Sequence, residues 1–174
     1  MKIKSASGGK GEPIVLLTIA SVICFLLSTA VIPFLFKSAF LPVPNLMLCF
    51  VCCIPSLASL KTSALFSLIL GFLNDLFVSE PTSFSPIVFL VSVCLVCYFY
   101  THFSRIGTHV MAVCSLPPIV LSAVVMTFAA MANFEGASAL SVLTKLSLPY
   151  IAVNFAFAIV VAFVLRMITR SKHN

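Results

Sequence analysis

Gly71-Phe72-Leu73-Asn74-Asp75-Leu76-Phe77 sets a carboxylate and a neighbouring amide inside an apolar run, and the solvent of that run decides the fold. The chain around it has 174 residues, of which 61% are hydrophobic, 8% are charged and only four are acidic. Its mean hydropathy is +1.23. A soluble domain carries roughly a quarter charged residues, about three times the share found here, so lipid must solvate most of this chain. An acidic side chain at membrane depth costs about 2.5–3.5 kcal/mol on insertion scales, so it faces protein or a water-filled cavity. Asp75 needs such a reason.

Outward from that stretch, six apolar runs can be drawn. The first extends from Pro13 to Phe36 between Glu12 and Lys37, with Pro13 suited to a first helical position. Lys2, Lys4, Lys10 and a Ser28-Thr29-Ala30 stretch give it the outline of a signal peptide. The apolar run continues to Phe36, well past the roughly 7–15 residues of a signal core, which predicts an uncleaved anchor. The second run follows Pro42 and Pro44 to about Leu60, and the third, containing Asp75, goes from Lys61 to about Ser79. The fourth extends from about Ser85 to Tyr100 and closes on Tyr98-Phe99-Tyr100, an aromatic set of the kind found at membrane interfaces. The fifth lies between His109 and Glu135, with Pro117-Pro118 expected to bend it near one end. The sixth runs from about Leu146 to Met167. The expected architecture is all-α: a polytopic integral membrane protein with six transmembrane helices over 13–167, an N-terminal segment over 1–12 and a basic tail over 168–174.

The basic residues orient these runs. With the N-terminus in the cytoplasm, inner segments hold Lys2, Lys4, Lys10, Lys61, Arg105, Arg166, Arg170 and Lys172, and outer segments hold Lys37 and Lys145. Cytoplasmic segments are enriched in Lys and Arg, so this asymmetry predicts both termini inside and favours six spans over five. The net charge of +6 therefore reads as topology. The cations are scattered singly over run ends, without the clustered basic face that nucleic-acid recognition requires. The connections are short, and the two halves share no paired Gly/Pro interruption of the inverted-repeat type.

Candidate chemistry is sparse. With the third run entering at Lys61, Asp75 falls about 20 Å along the helix, in the outer half of the bilayer. It either reaches the outer headgroups, bonds within the bundle, or meets a partner helix or cavity ligand. Asn74 projects about 100° away, towards a neighbouring helix. Gly71, one turn before Asp75 on the same face, permits close helix approach. Asn154 is the main polar feature of the sixth run. Pro149 upstream of it frees a backbone carbonyl that some neighbour must satisfy, a job Asn154 is placed to do. Pro44-Asn45 opens the second run, where Asn45 serves as a helix cap or meets the outer leaflet. His102, Arg105 and His109 form a solvated inner set. Seven cysteines (Cys24, Cys49, Cys52, Cys53, Cys94, Cys97 and Cys114) all lie in or beside apolar runs. Cys94-x-x-Cys97 has the spacing of a redox or metal motif but no His or acid nearby. Buried thiols usually behave as small hydrophobes, and packing is the expected role. No metal site or cofactor is implied. There is also no glycine-rich phosphate loop, HExxH or paired carboxylate, which argues against an enzyme.

In this order of features the chain resembles the rod shape-determining MreD family. The resemblance rests on a basic N-terminus before a first span, Pro44-Asn45-Leu46 opening the second, and Gly71-x-x-x-Asp75-Leu76. A last span bearing Pro149 and Asn154 and a basic C-terminus complete it. It covers nearly the whole chain in span order. It departs where many members place a Gly soon after the Asp-Leu pair, since this chain reads Ser79-Glu80-Pro81-Thr82-Ser83. The resemblance implies a non-enzymatic scaffold of the bacterial inner (cytoplasmic) membrane that supports peptidoglycan synthesis and rod shape. Its implied partner is an MreC-like protein. An MreB-like actin homologue, a RodA-like glycosyltransferase and a class B penicillin-binding transpeptidase belong to the wider complex, with membrane lipid around it. It also implies a fold similar to the substrate-binding subunits of energy-coupling-factor transporters. Gly71, Asn74 and Asp75 would then lie on a contact seam near the outer leaflet, with Pro44, Asn45 and Asn154 as further contact candidates. The alternative is a vitamin-binding subunit of such a transporter. Those subunits typically carry Ala-x-x-x-Ala in the first span, where this chain has only Ala20 and Ala30.

Overall fold

The computed structural model describes residues 14–36, 43–77, 84–103, 107–133 and 142–171. Within these residues all regular structure is helical. Among the described residues six helical units follow one another: α1 (Ile14–Phe36), α2 (Leu46–Ser56), α3 (Leu60–Phe77), α4 (Ser85–Tyr100), α5 (Thr108–Asn133) and α6 (Leu148–Ser171, led by a wide turn over Leu143–Ser147). α1, α3, α5 and α6 are long and apolar enough to cross a membrane, which makes this a membrane protein by length and composition. α2 and α4 are shorter apolar helices. Among the described residues, four of the six expected spans are thus helices of spanning length.

Proline chemistry explains the irregularities. A proline lacks the amide hydrogen and its ring clashes with the carbonyl four residues back. Pro55 converts the end of α2 into a tight 3₁₀ turn over Ile54–Ser56, and the chain then leaves the helix at Leu57, short of the expected Leu60. α2 is therefore about 18 Å long, against a hydrocarbon core of about 30 Å. Pro33 and Pro149 act differently. Each is preceded by a π turn, Leu27–Val31 and Leu143–Ser147, and the carbonyl the proline would crowd lies at the middle of that turn. The helix widens by one residue, and Ile32 N–H bonds to the Leu27 carbonyl. Pro117 and Pro118 lie inside α5, which stays helical through them.

α2 is the hub. Every residue from Leu46 to Ile54 is at most 6% exposed, and α2 touches all five other helices. A helix apolar all round suits such enclosure, as it would suit lipid. α1 lies at the rim, where it buries only Leu17, Ser21, Ser28 and Ile32 along one face. Val15, Phe34, Phe72 and Leu76 are among the side chains pointing outward, as lipid solvation requires. The cysteines follow the packing expectation: Cys49, Cys52, Cys53, Cys97 and Cys114 are buried and all seven are free thiols. Cys94 is exposed while Cys97 is buried, so the pair does not converge on a common ligand. The aromatic set at the end of α4 divides, with Tyr98 outside and Tyr100 turned into the core. α6 continues to Ser171, so the first part of the expected tail is helical. The N-terminal segment 1–12, the Ser79–Ser83 departure, Arg105, Lys172 and most of the connection from Phe134 to Lys145 lie outside the described residues.

Candidate functional site

Two polar joints contain all six candidate residues. The first ties α2 to α6. Asn45 caps α2, its Oδ1 accepting from Leu48 N–H at 2.9 Å, which is the cap alternative expected for it. Its own N–H donates to Asn154 Oδ1 at 2.7 Å across 109 residues of chain. Asn154 Nδ2 donates to the Tyr150 carbonyl at 2.8 Å, and Cys49 Sγ reaches the Asn154 carbonyl at 3.2 Å. One oxygen facing an N–H and one amide facing a carbonyl fix the side chain's orientation. Pro44 is buried beside Asn45, and Asn154 is fully buried. Its amide goes to the Tyr150 carbonyl, not to the Lys145 carbonyl four residues before Pro149, and its oxygen holds α2.

Tyr150 continues this joint into α5, its hydroxyl lying 3.1 Å from Ser122 Oγ. One turn earlier, Ser147 bonds Thr127. Thr127 gives its own proton to the Ala123 carbonyl, so Ser147 is the donor there. Composition did not single out Tyr150, Ser122 or Ser147. The signal for Tyr150 was its position one helical turn before Asn154.

The second joint closes α3 against α4. Gly71 is pressed onto Pro86: a Cβ placed on it would stand 2.4 Å from Pro86 Cα and 2.7 Å from Pro86 N. Glycine permits this approach because it has no Cβ. Asn74 is buried and its Nδ2 donates to Ser85 Oγ at 2.9 Å. Asp75 Oδ1 accepts from Ser85 N–H at 3.3 Å. The first amides of a helix lack intrahelical partners and carry positive partial charge, so a carboxylate from the preceding helix is a fitting cap. Of the roles open to Asp75, bonding within the bundle is therefore present. Asp75 is nonetheless only partly buried and is the sole acidic residue among the described residues. Phe72 and Leu76 on its own helix, and Ile87 two residues after Ser85 on α4, are each more than 60% exposed. One carboxylate thus sits at the edge of an outward apolar face.

His102 and His109 are exposed, in line with a solvated set, and the His102 ring packs on Tyr98 at 5.0 Å. Among the described residues no three His, Cys, Asp or Glu side chains gather as metal ligands. A scan of the chain against protein-family models found no match, and searches of curated proteins and of solved structures found none either.

Proposed function

We propose that this chain is a non-enzymatic membrane scaffold of the MreD type, placed in a bacterial inner membrane with both termini in the cytoplasm. It would bind the membrane segment of an MreC-like protein and through it support wall synthesis and rod shape. The observation that carries this reading is the Gly71-to-Leu76 element. Its glycine and amide are used for internal helix contact, while its carboxylate is only partly buried on a helix whose adjacent Phe72 and Leu76 point outward. A carboxylate facing lipid is costly, so a hydrogen-bonding group on a docked partner helix gives Asp75 a second use. The excess of Lys and Arg on one side of the apolar runs supports the orientation.

The test is co-purification with the MreC-like protein and complementation of rod shape. Asp75→Ala should insert normally yet recover less partner and leave cells misshapen. Full recovery and normal rods would remove Asp75 from the interface. A stoichiometric vitamin in native mass spectra of the purified protein would replace the scaffold reading with the transporter one.

A further inference from the structure

The outward faces of the bundle differ in height. α1 runs 23 residues from Ile14 to Phe36 without a charged side chain, and its exposed apolar side chains reach from Ile14 to Leu35. At about 1.5 Å per residue that face is about 32 Å tall, enough for a hydrocarbon core of about 30 Å. α4 is different. Its 16 residues run from a non-helical cap at Phe84 to a turn at Thr101–His102. Its outward stripe of Ile87, Val91, Cys94 and Tyr98 is only about 17 Å tall. The Tyr98 ring packs on the exposed His102 where the stripe ends, and such an aromatic residue sits at headgroup level.

α3 is equally short beside it. Its outward Leu65, Ile69 and Phe72 lie between the exposed Lys61 and Asp75, about 21 Å apart along the helix. The bond from Ser85 N–H to Asp75 and the contact of Gly71 with Pro86 put the Asp75 end of α3 level with the start of α4. A further contact fixes that level against α1. The ring of Phe77, two residues after Asp75, packs edge-on against Phe25 at 5.3 Å. Phe25 is the midpoint of α1, so α1 extends about 16 Å to either side of that contact. A flat bilayer matched to α1 would therefore put Asp75 deep in hydrocarbon, where an ionised carboxylate is costly.

We propose that the α3–α4 face holds a notch in the membrane, where the bilayer thins and phospholipid headgroups come in to meet Asp75. A hydrophobic face shorter than the surrounding bilayer is met by local thinning. At the other end the long stem of Lys61 can snorkel out to the headgroups, whereas the short aspartate needs them brought to it. Both helices share the short height, and charged or polar groups stand at both of its ends, which is the profile of a thinned bilayer. The notch belongs to the protein on its own, and a docked partner helix would displace the headgroups from Asp75.

The chain has no Trp, so a single introduced Trp reports its own depth by fluorescence. Leu76→Trp and Ile87→Trp place one at exposed positions near Asp75 and Ser85. Ile23→Trp places one at an exposed position near the middle of α1, on the side opposite Phe25. The purified full-length protein, in vesicles of oleoyl phosphatidylcholine, is quenched with lipid spin-labelled at the headgroup and, separately, with lipid brominated near the chain ends. The ratio of headgroup to chain-end quenching should exceed one for Leu76→Trp and Ile87→Trp and fall below one for Ile23→Trp. A ratio below one at either α3–α4 position means an unthinned bilayer there and overturns the proposal. A ratio above one at all three positions also overturns it, because the whole protein would then sit high in the membrane. Quenching of the α3–α4 variants by aqueous acrylamide but by neither lipid would mean a water-filled crevice, and quenching by none of the three a protein neighbour. Either result overturns it too.

Discussion

The α2–α6 joint and the α3–α4 joint both carry an asparagine at a helix crossing, yet they hold their helices by different physics. Between α3 and α4 the backbones meet, with Gly71 against Pro86, and the hydrogen bonds of Asn74 and Asp75 sit beside that contact. Between α2 and α6 the Asn154 side chain itself is the bridge, fully buried and bonded to Asn45 N–H, the Tyr150 carbonyl and, through its own carbonyl, Cys49. Lipid offers no hydrophobic force between helices, so close packing and interhelical hydrogen bonds are the two means available. This molecule uses one at each joint. A polar residue should therefore matter far more at the α2–α6 joint than at the α3–α4 joint.

The largest effect is expected at the packed joint, from a residue with no polar group. Gly71→Leu places a Cβ against the Pro86 backbone, which cannot rotate away, and α3 and α4 must separate. Overpacking of this kind costs about 3 kcal/mol, at the upper end of its usual range. The loss is read as a shift in the denaturation midpoint in detergent. A midpoint near wild type would mean that the joint tolerates separation and that close contact is not what holds it.

Next comes Asn154→Leu, of similar volume but without the bridge. It strands the Asn45 N–H in the core and should cost about 2 kcal/mol, the penalty of an unsatisfied buried donor. The same midpoint measurement checks it. If Asn154→Leu costs no more than a substitution at Asn74, the contrast between bonded and packed joints fails.

The sequence made Asp75 the most conspicuous residue because it weighs charge against apolar surroundings. The positions of α3 and α4 were readable for the same reason, since polar and proline-bearing stretches bound them closely. The cap on α2 was readable too, because Asn45 and Leu48 are local to one another. Asn154 looked secondary because its partner is 109 residues away, and no local pattern encodes that distance. The length of α2 was misjudged for another reason. Hydropathy counts apolar residues in a run, while the hydrogen-bond pattern imposed by Pro55 decides how far the run advances. The inward turn of Tyr100 was hidden by its neighbours Tyr98 and Phe99, which look like an interface belt whichever way each ring points.

A smaller effect is expected at Asn74. Asn74→Ala removes one bond to Ser85 Oγ while the Gly71–Pro86 contact survives, so the loss should be about 1 kcal/mol, in the range for a single interhelical hydrogen bond in a membrane. A loss equal to that of Gly71→Leu would show that the bond, not the contact, carries the joint.

The smallest effect on stability belongs to the residue that drew attention first. Asp75→Asn keeps an oxygen able to accept from Ser85 N–H, and that bond is long at 3.3 Å. The residue is partly exposed, so the change should lie within about 0.5 kcal/mol, as for surface substitutions generally. The charge, however, is gone. If Asp75 serves a partner as a carboxylate, recovery of the MreC-like protein should fall while the denaturation midpoint stays put, which separates docking from folding. If Asp75 is only a cap for α4, both should remain at wild-type values, because asparagine caps a helix about as well as aspartate does. The variant most nearly silent in stability is thus the one that tells a second use of the carboxylate from a purely internal one.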